Sequence, residues 1–153
     1  CAPGIDDSYY EAFISGESIK TTRNDTYALL SHSTAALVTS GTATLETAIF
    51  DVPQVVCYKT PVPHLTRWAF NHIIKCRFIS LVNLIADKEV VQELMAERFS
   101  IRNIVDELRN ILPGSPKREE MLRNYDEIDR RLGDLPTPEN TAREMISILK
   151  NKE

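Results

Sequence analysis

The sequence predicts an α/β fold, a Rossmann-like parallel sheet flanked by helices. Three observations predict it. Short apolar runs at 35–39 and 54–58 alternate with segments of helical period. The gap between those runs suits one crossover helix, the connection a parallel strand pair requires. The first run also breaks at Ser40-Gly41-Thr42 and restarts as a helix. A strand, tight turn and helix N-terminus in succession present free amides and the positive end of a helix dipole to an anion.

Each element follows from its residues. Ala2-Pro3-Gly4-Ile5 reads as a strand end passing into a loop, and Tyr9 to Ile14 as a short helix. Ser18 to Thr21 is predicted as the next strand, and Asp25 as the cap of a helix carrying Tyr27, Leu29 and Leu30. Then come strand 35–39, the turn, helix 42–50 and strand Gln54 to Tyr58. In helix 42–50, Leu45, Ala48 and Ile49 fall at i, i+3 and i+4 and form the expected buried stripe.

From Pro63 to Lys75, Leu65, Trp68, Ala69, His72 and Ile73 keep helical spacing, with Arg67, Lys75 and Arg77 adding positive charge. Such a stripe suits a core helix or a basic helix lying on a membrane surface, and core packing is its commoner fate. Residues 78–86 are predicted as a strand and a loop at Asn83, followed by helices at 89–97 and 101–112. Ser100 suits the N-cap of the second, whose buried face is Ile104, Val105, Leu108, Ile111 and Leu112. Pro113-Gly114-Ser115-Pro116 ends it. Lys117 to Arg131 is charged apart from the seam Met121, Leu122, Tyr125 and Ile128, and a last helix runs from Glu139 to Lys150 with Ala142, Met145, Ile146 and Leu149 on one face.

A length of 153 residues suits one domain with a real core. The formal net charge is −4 and the 18 basic residues are spread along the chain, so no nucleic-acid partner is predicted. Cys1, Cys57 and Cys76 form no C-x-x-C pair and are odd in number, which argues against a disulfide framework or zinc site and fits a reducing compartment. Cys57, inside an apolar strand, reads as a small core residue. His32, His64 and His72 lack metal-ligand spacing, so neither metal nor cofactor is expected. No stretch approaches the roughly 20 apolar residues of a membrane span.

The chemistry centres on the turn. Gly41 permits positive φ and close approach of a ligand, while Ser40 and Thr42 add hydroxyls that can cap the helix or donate to phosphate oxygens. Glu46, in the second turn, would repel a phosphate but can accept two hydrogen bonds from a vicinal diol such as a ribose. The plainer alternative makes Ser40 or Thr42 a helix cap and Glu46 a solvated residue. A nucleophile elbow would need glycine at positions 38 and 42, which hold Val38 and Thr42. A Walker A loop would need Gly-Lys, and none of the five glycines precedes a lysine.

Taken together, Val38-Thr39-Ser40-Gly41-Thr42-Ala43-Thr44-Leu45-Glu46, Val52-Pro53-Gln54-Val55-Val56-Cys57-Tyr58-Lys59 and Ile79-Ser80-Leu81-Val82-Asn83-Leu84-Ile85-Ala86 resemble the C-terminal half of the lipid-A-disaccharide synthase family. The likeness continues through Glu89-Val90-Val91-Gln92-Glu93-Leu94 and keeps the family's order. The resemblance implies an inverting glycosyltransferase of GT-B architecture, with two facing Rossmann-like domains. The implied reaction moves 2,3-diacylglucosamine from a UDP donor to 2,3-diacylglucosamine 1-phosphate in lipid A biosynthesis.

By the same resemblance, Ser40-Gly41-Thr42 faces the diphosphate, with Ala43 in the same nucleotide-sugar set, Glu46 meets the ribose, and Asn83 lines the donor side of the cleft. Val82 stands where the family usually has Pro, which removes a φ constraint ahead of Asn83. Ala96 stands where many members carry Gln. The family's Gly-Ser-Arg strand and its N-terminal domain with the general base do not appear in this sequence. The implied organisation is therefore an incomplete UDP-sugar-binding domain at 1–112 with peripheral helices at 113–153, no catalytic residue of its own, and no activity alone.

The implied partners are the UDP-sugar donor, the enzyme's N-terminal domain, a second copy in a homodimer and, for the full-length protein, the membrane surface. A cytoplasmic location, peripheral to the inner membrane, goes with them. A chain opening at Cys1 suits a processed lipoprotein or a piece of a longer chain, and the absent strand favours the piece. The alternatives are another UDP-sugar transferase or epimerase of the same architecture, or a non-catalytic interaction domain.

Overall fold

The structure, a computed structural model, describes residues 4–39, 41–59, 77–133 and 137–150. Its centre is a parallel sheet of three strands in the order β1 (Ala36–Val38), β2 (Gln54–Tyr58), β3 (Gln92–Met95). Ala36 stands opposite Gln54 and Val55 opposite Gln92, so Val38, Val56 and Glu93 form one row across the sheet. Two helices precede the sheet, α1 (Asp7–Ile14) and α2 (Thr26–Ser31). The crossover helices are α3 (Thr42–Ile49), after β1, and α4 (Leu81–Ala86), before β3. A 3₁₀ turn at Ala96–Arg98 leads to α5 (Ile101–Asn110), α6 (Pro116–Leu132) and α7 (Thr137–Lys150).

The parallel α/β architecture agrees with the expectation from sequence. Several elements differ. Ser18–Thr21 is irregular rather than a strand, and Ile19 is 58% exposed. Among the described residues β1 pairs with β2 alone, so nothing there extends the sheet toward Ser18. Residues 78–86 form no strand: Ser80 opens α4 by accepting the Asn83 amide at 3.3 Å. The expected helix at 89–97 is instead β3, whose residues alternate between buried and half-buried beside β2. Pairing with a fully buried neighbour overrides helix propensity there. The expected helix at 63–75 lies outside the described residues.

In α3 the buried residues are Thr44, Thr47 and Ala48, while Leu45 is half-buried and Ile49 is 50% exposed. The stripe is thus rotated from the one expected. Threonine can go inside because each hydroxyl returns to the helix backbone. Thr44 Oγ1 donates to Gly41 O at 2.9 Å and Thr47 Oγ1 to Ala43 O at 2.7 Å, which removes the penalty for a buried hydroxyl. Cys57 is a core residue, as expected, and burial pushes its thiol pKa up.

The α6 seam closes the N-terminal end of the sheet. Met121, Tyr125 and Ile128 are buried, and Met121 Sδ receives the Gln54 amide at 3.4 Å. The Tyr125 hydroxyl meets Gln54 Nε2 at 3.2 Å and donates to Val52 O at 3.4 Å. Arg118 donates to Thr34 O at 2.6 Å, Arg131 to Ile85 O at 2.7 Å, and Lys88 pairs with Glu127 at 2.8 Å. Gln54 opens β2, Val52 and Thr34 lie just ahead of β2 and β1, and Ile85 belongs to α4. At the opposite end, where β1 finishes at Val38, the chain bends at Gly41 into α3.

Candidate functional site

At the carboxyl end of β1 the chain bends at Gly41, whose φ of 95° and ψ of −158° side chains rarely adopt. Among the described residues, a Cβ placed there would meet nothing within 4 Å. The Gly41 carbonyl is tied back to the helix by the Thr44 amide at 3.2 Å and the Thr44 hydroxyl. Gly41 itself is the N-cap of α3, and among the described residues no side chain caps the helix. Among the described residues no acceptor reaches the amides of Thr42 and Ala43, both exposed. They belong to the first turn, the positive end, of an eight-residue helix. Thr42 therefore does not act as the cap the plainer reading assigned it, and Ser40 lies outside the described residues.

Glu46 sits one turn into α3, half-buried. It lines two hollows that also share Thr26. One, of about 430 Å³, is bounded by Asn24, Asp25, Thr26 and Tyr27; the other, of about 340 Å³, runs between α2, β1 and α3. Tyr27 is stacked on Phe50, ring centroids 5.3 Å apart and planes 24° from parallel. The turn and Glu46 are thus brought together on one helix with an open polar hollow beside the carboxylate.

Asn83 is placed differently from the expectation. It is fully buried between α4 and β3. Its Oδ1 accepts the amides of Val90 at 2.8 Å and Val91 at 2.9 Å, and its Nδ2 donates to Val91 O and to Glu93 Oε1, each at 2.9 Å. Four hydrogen bonds fill the amide's capacity. Its side chain holds the loop into β3 and does not share the open surface with Gly41 and Glu46.

Glu93 was not singled out by sequence reasoning. Its carboxylate accepts from the Ile79 amide at 3.0 Å, the Ser80 amide at 2.9 Å and the Ser80 hydroxyl at 2.7 Å, besides Asn83. The signal was the Ser80-x-x-Asn83 capping spacing followed by an acid on an alternating segment, which a helical reading of 89–97 hid. Ala96, at the end of β3, is buried at φ 50°, a left-handed conformation uncommon for alanine.

Residues 14–136 match a family model described as lipid-A-disaccharide synthetase. The chain belongs to this family. It is 37% identical over 118 residues to a lipid-A-disaccharide synthase of Myxococcus xanthus, covering 76% of this chain and 30% of that protein. A relative of the same name from Gloeothece citriformis is 38% identical over 114 residues, covering 72% and 29%. One from Koribacter versatilis is 31% identical over 137 residues, covering 87% and 35%. The chain thus spans about a third of the length of the lipid-A-disaccharide synthases it matches. Among the described residues no helix is long and apolar enough to cross a membrane, and no group of acids, cysteines or histidines is arranged to hold a metal.

Proposed function

We propose that this chain is the donor-binding part of a lipid-A-disaccharide synthase. The full enzyme would transfer 2,3-diacylglucosamine from its UDP carrier to 2,3-diacylglucosamine 1-phosphate, with inversion at the anomeric carbon. The observation that carries the reading is the N-terminus of α3 at Gly41, without a side-chain cap among the described residues, with Glu46 one turn away on the same helix beside a hollow.

The diphosphate would lie on the amides of Gly41, Thr42 and Ala43, with the Ser40 hydroxyl joining them. The ribose would reach Glu46, and the nucleoside would extend over the hollow bounded by Asn24 and Tyr27. Asn83 would act by fixing the α4–β3 loop rather than by touching the donor sugar. Inverting transfer also needs a base on the acceptor hydroxyl, from the opposite wall of a cleft. In this reading the N-terminal domain supplies that wall, and the whole enzyme works at the membrane surface where its acylated substrates reside.

UDP titration tests the reading. Glu46→Ala should lower UDP affinity about tenfold or more, the equivalent of losing roughly 1.5–3 kcal/mol of charge-assisted hydrogen bonding. Unchanged affinity would return Glu46 to the solvated surface.

A further inference from the structure

We infer that Glu93 is a positioning residue for donor binding, acting through the N-terminus of α4. The inference rests on the nucleotide reading of the Gly41 turn. Its starting point is the register. Glu93 stands in the row of Val56 and Val38, and Val38 is the last residue of β1 before the turn. Two inter-strand steps separate them, about 10 Å. The helices that follow the same pattern, α3 and α4, pack against each other. Two helix N-termini therefore lie near the same margin of the sheet.

Among the described residues, partners are given for the amides at the start of α4 and none for those at the start of α3. At α4 the Ser80 hydroxyl takes the Asn83 amide, and the Glu93 carboxylate takes the amides of Ile79 and Ser80 and the Ser80 hydroxyl. A carboxylate there has the charge and acceptor geometry favoured at a helix N-terminus. At α3 the amides of Thr42 and Ala43 have no such partner among the described residues. Glu93 thereby does two things. It satisfies donors at the start of α4, and it fixes Ile79 and Ser80 in one shape near the margin of the sheet that also carries the N-terminus of α3. Its charge is spent on those donors rather than aimed at the ligand.

The test uses the full chain and Glu93→Gln, which keeps one acceptor oxygen but loses the charge and the second oxygen that Ile79 shares. Amide exchange is read at Ile79, Ser80 and Asn83, and affinity is read for UDP and for uridine in parallel. Expected is faster exchange at Ile79 and Ser80 and a three- to tenfold loss of affinity for UDP, with uridine affinity unchanged. A general loosening of the fold would weaken both ligands, and equal losses overturn the inference. So does a UDP affinity that stays the same or rises in Glu93→Gln, while the nucleotide reading stands. If the unsubstituted chain shows no UDP-dependent shifts at Gly41, Thr42 or Ala43 up to saturating nucleotide, the nucleotide reading fails and the inference falls with it.

Discussion

Asn83 and Val91 exchange a reciprocal pair of hydrogen bonds: Oδ1 accepts the Val91 amide at 2.9 Å, and Nδ2 donates to the Val91 carbonyl at 2.9 Å. The side-chain amide thus imitates a strand neighbour for a backbone that has not yet entered the sheet. Asn83→Ala leaves those groups and the Val90 amide buried without partners. A loss of about 2–4 kcal/mol in chemical denaturation is expected, at the upper end for a single substitution. Asn83→Asp should be worse at neutral pH, since it sets a second carboxylate against Glu93, and should recover in part as the solution is acidified. Wild-type stability in either variant would mean the amide is not holding the loop.

Asp51 links stability to pH. It follows α3 at φ 54°, and burial, then Asp126 and Asp129, raise its pKa. A carboxyl whose folded-state pKa is raised binds its proton more tightly folded than unfolded. Stability is therefore lost as pH climbs above the ordinary carboxylate value of about 3.9 and through the folded value. Asp51→Asn removes the charge and keeps a residue tolerant of the left-handed backbone. After discounting for solvent screening, melting at pH 7 should rise by about 1–2 °C, and the difference should vanish below pH 4. A lower melting temperature at pH 7 would contradict this account.

The dependence of the sheet on α6 is open to a packing test. Met121 is 1% exposed and its sulfur receives the Gln54 amide at the start of β2. Met121→Ala should cost about 2–5 kcal/mol, the range for truncating a fully buried chain. A matching change at exposed Met145, on α7, should be near neutral. If the two variants denature alike, α6 is not part of the cooperative unit formed by the sheet.

The sequence made the β1–turn–α3–β2 unit legible because its signals are local. An apolar run, a glycine at a bend and a helical period each lie within about ten residues of one another. The reading of β3 and α4 failed because their identity is settled at a distance. Gln92–Met95 becomes a strand by pairing with β2, and Leu81–Ala86 becomes a helix through Ser80 and Glu93. Leu45 and Ile49 misled for a related reason. Thr44 and Thr47 can bury their hydroxyls against the helix backbone, an option that a scale of side-chain polarity does not register. The bend at Gly41 and the place of Glu46 on α3 are legible from spacing, whereas the bonds of Glu93 to Ile79 and Ser80 depend on how β3 and α4 pack.

The sheet has a flank, at β1, with no strand partner among the described residues. β1 is hydrogen-bonded on a single flank among the described residues, and Leu37 in its middle is 51% exposed. Among the described residues its outer backbone groups have no strand partner, an edge of the kind that another extended segment can extend by pairing.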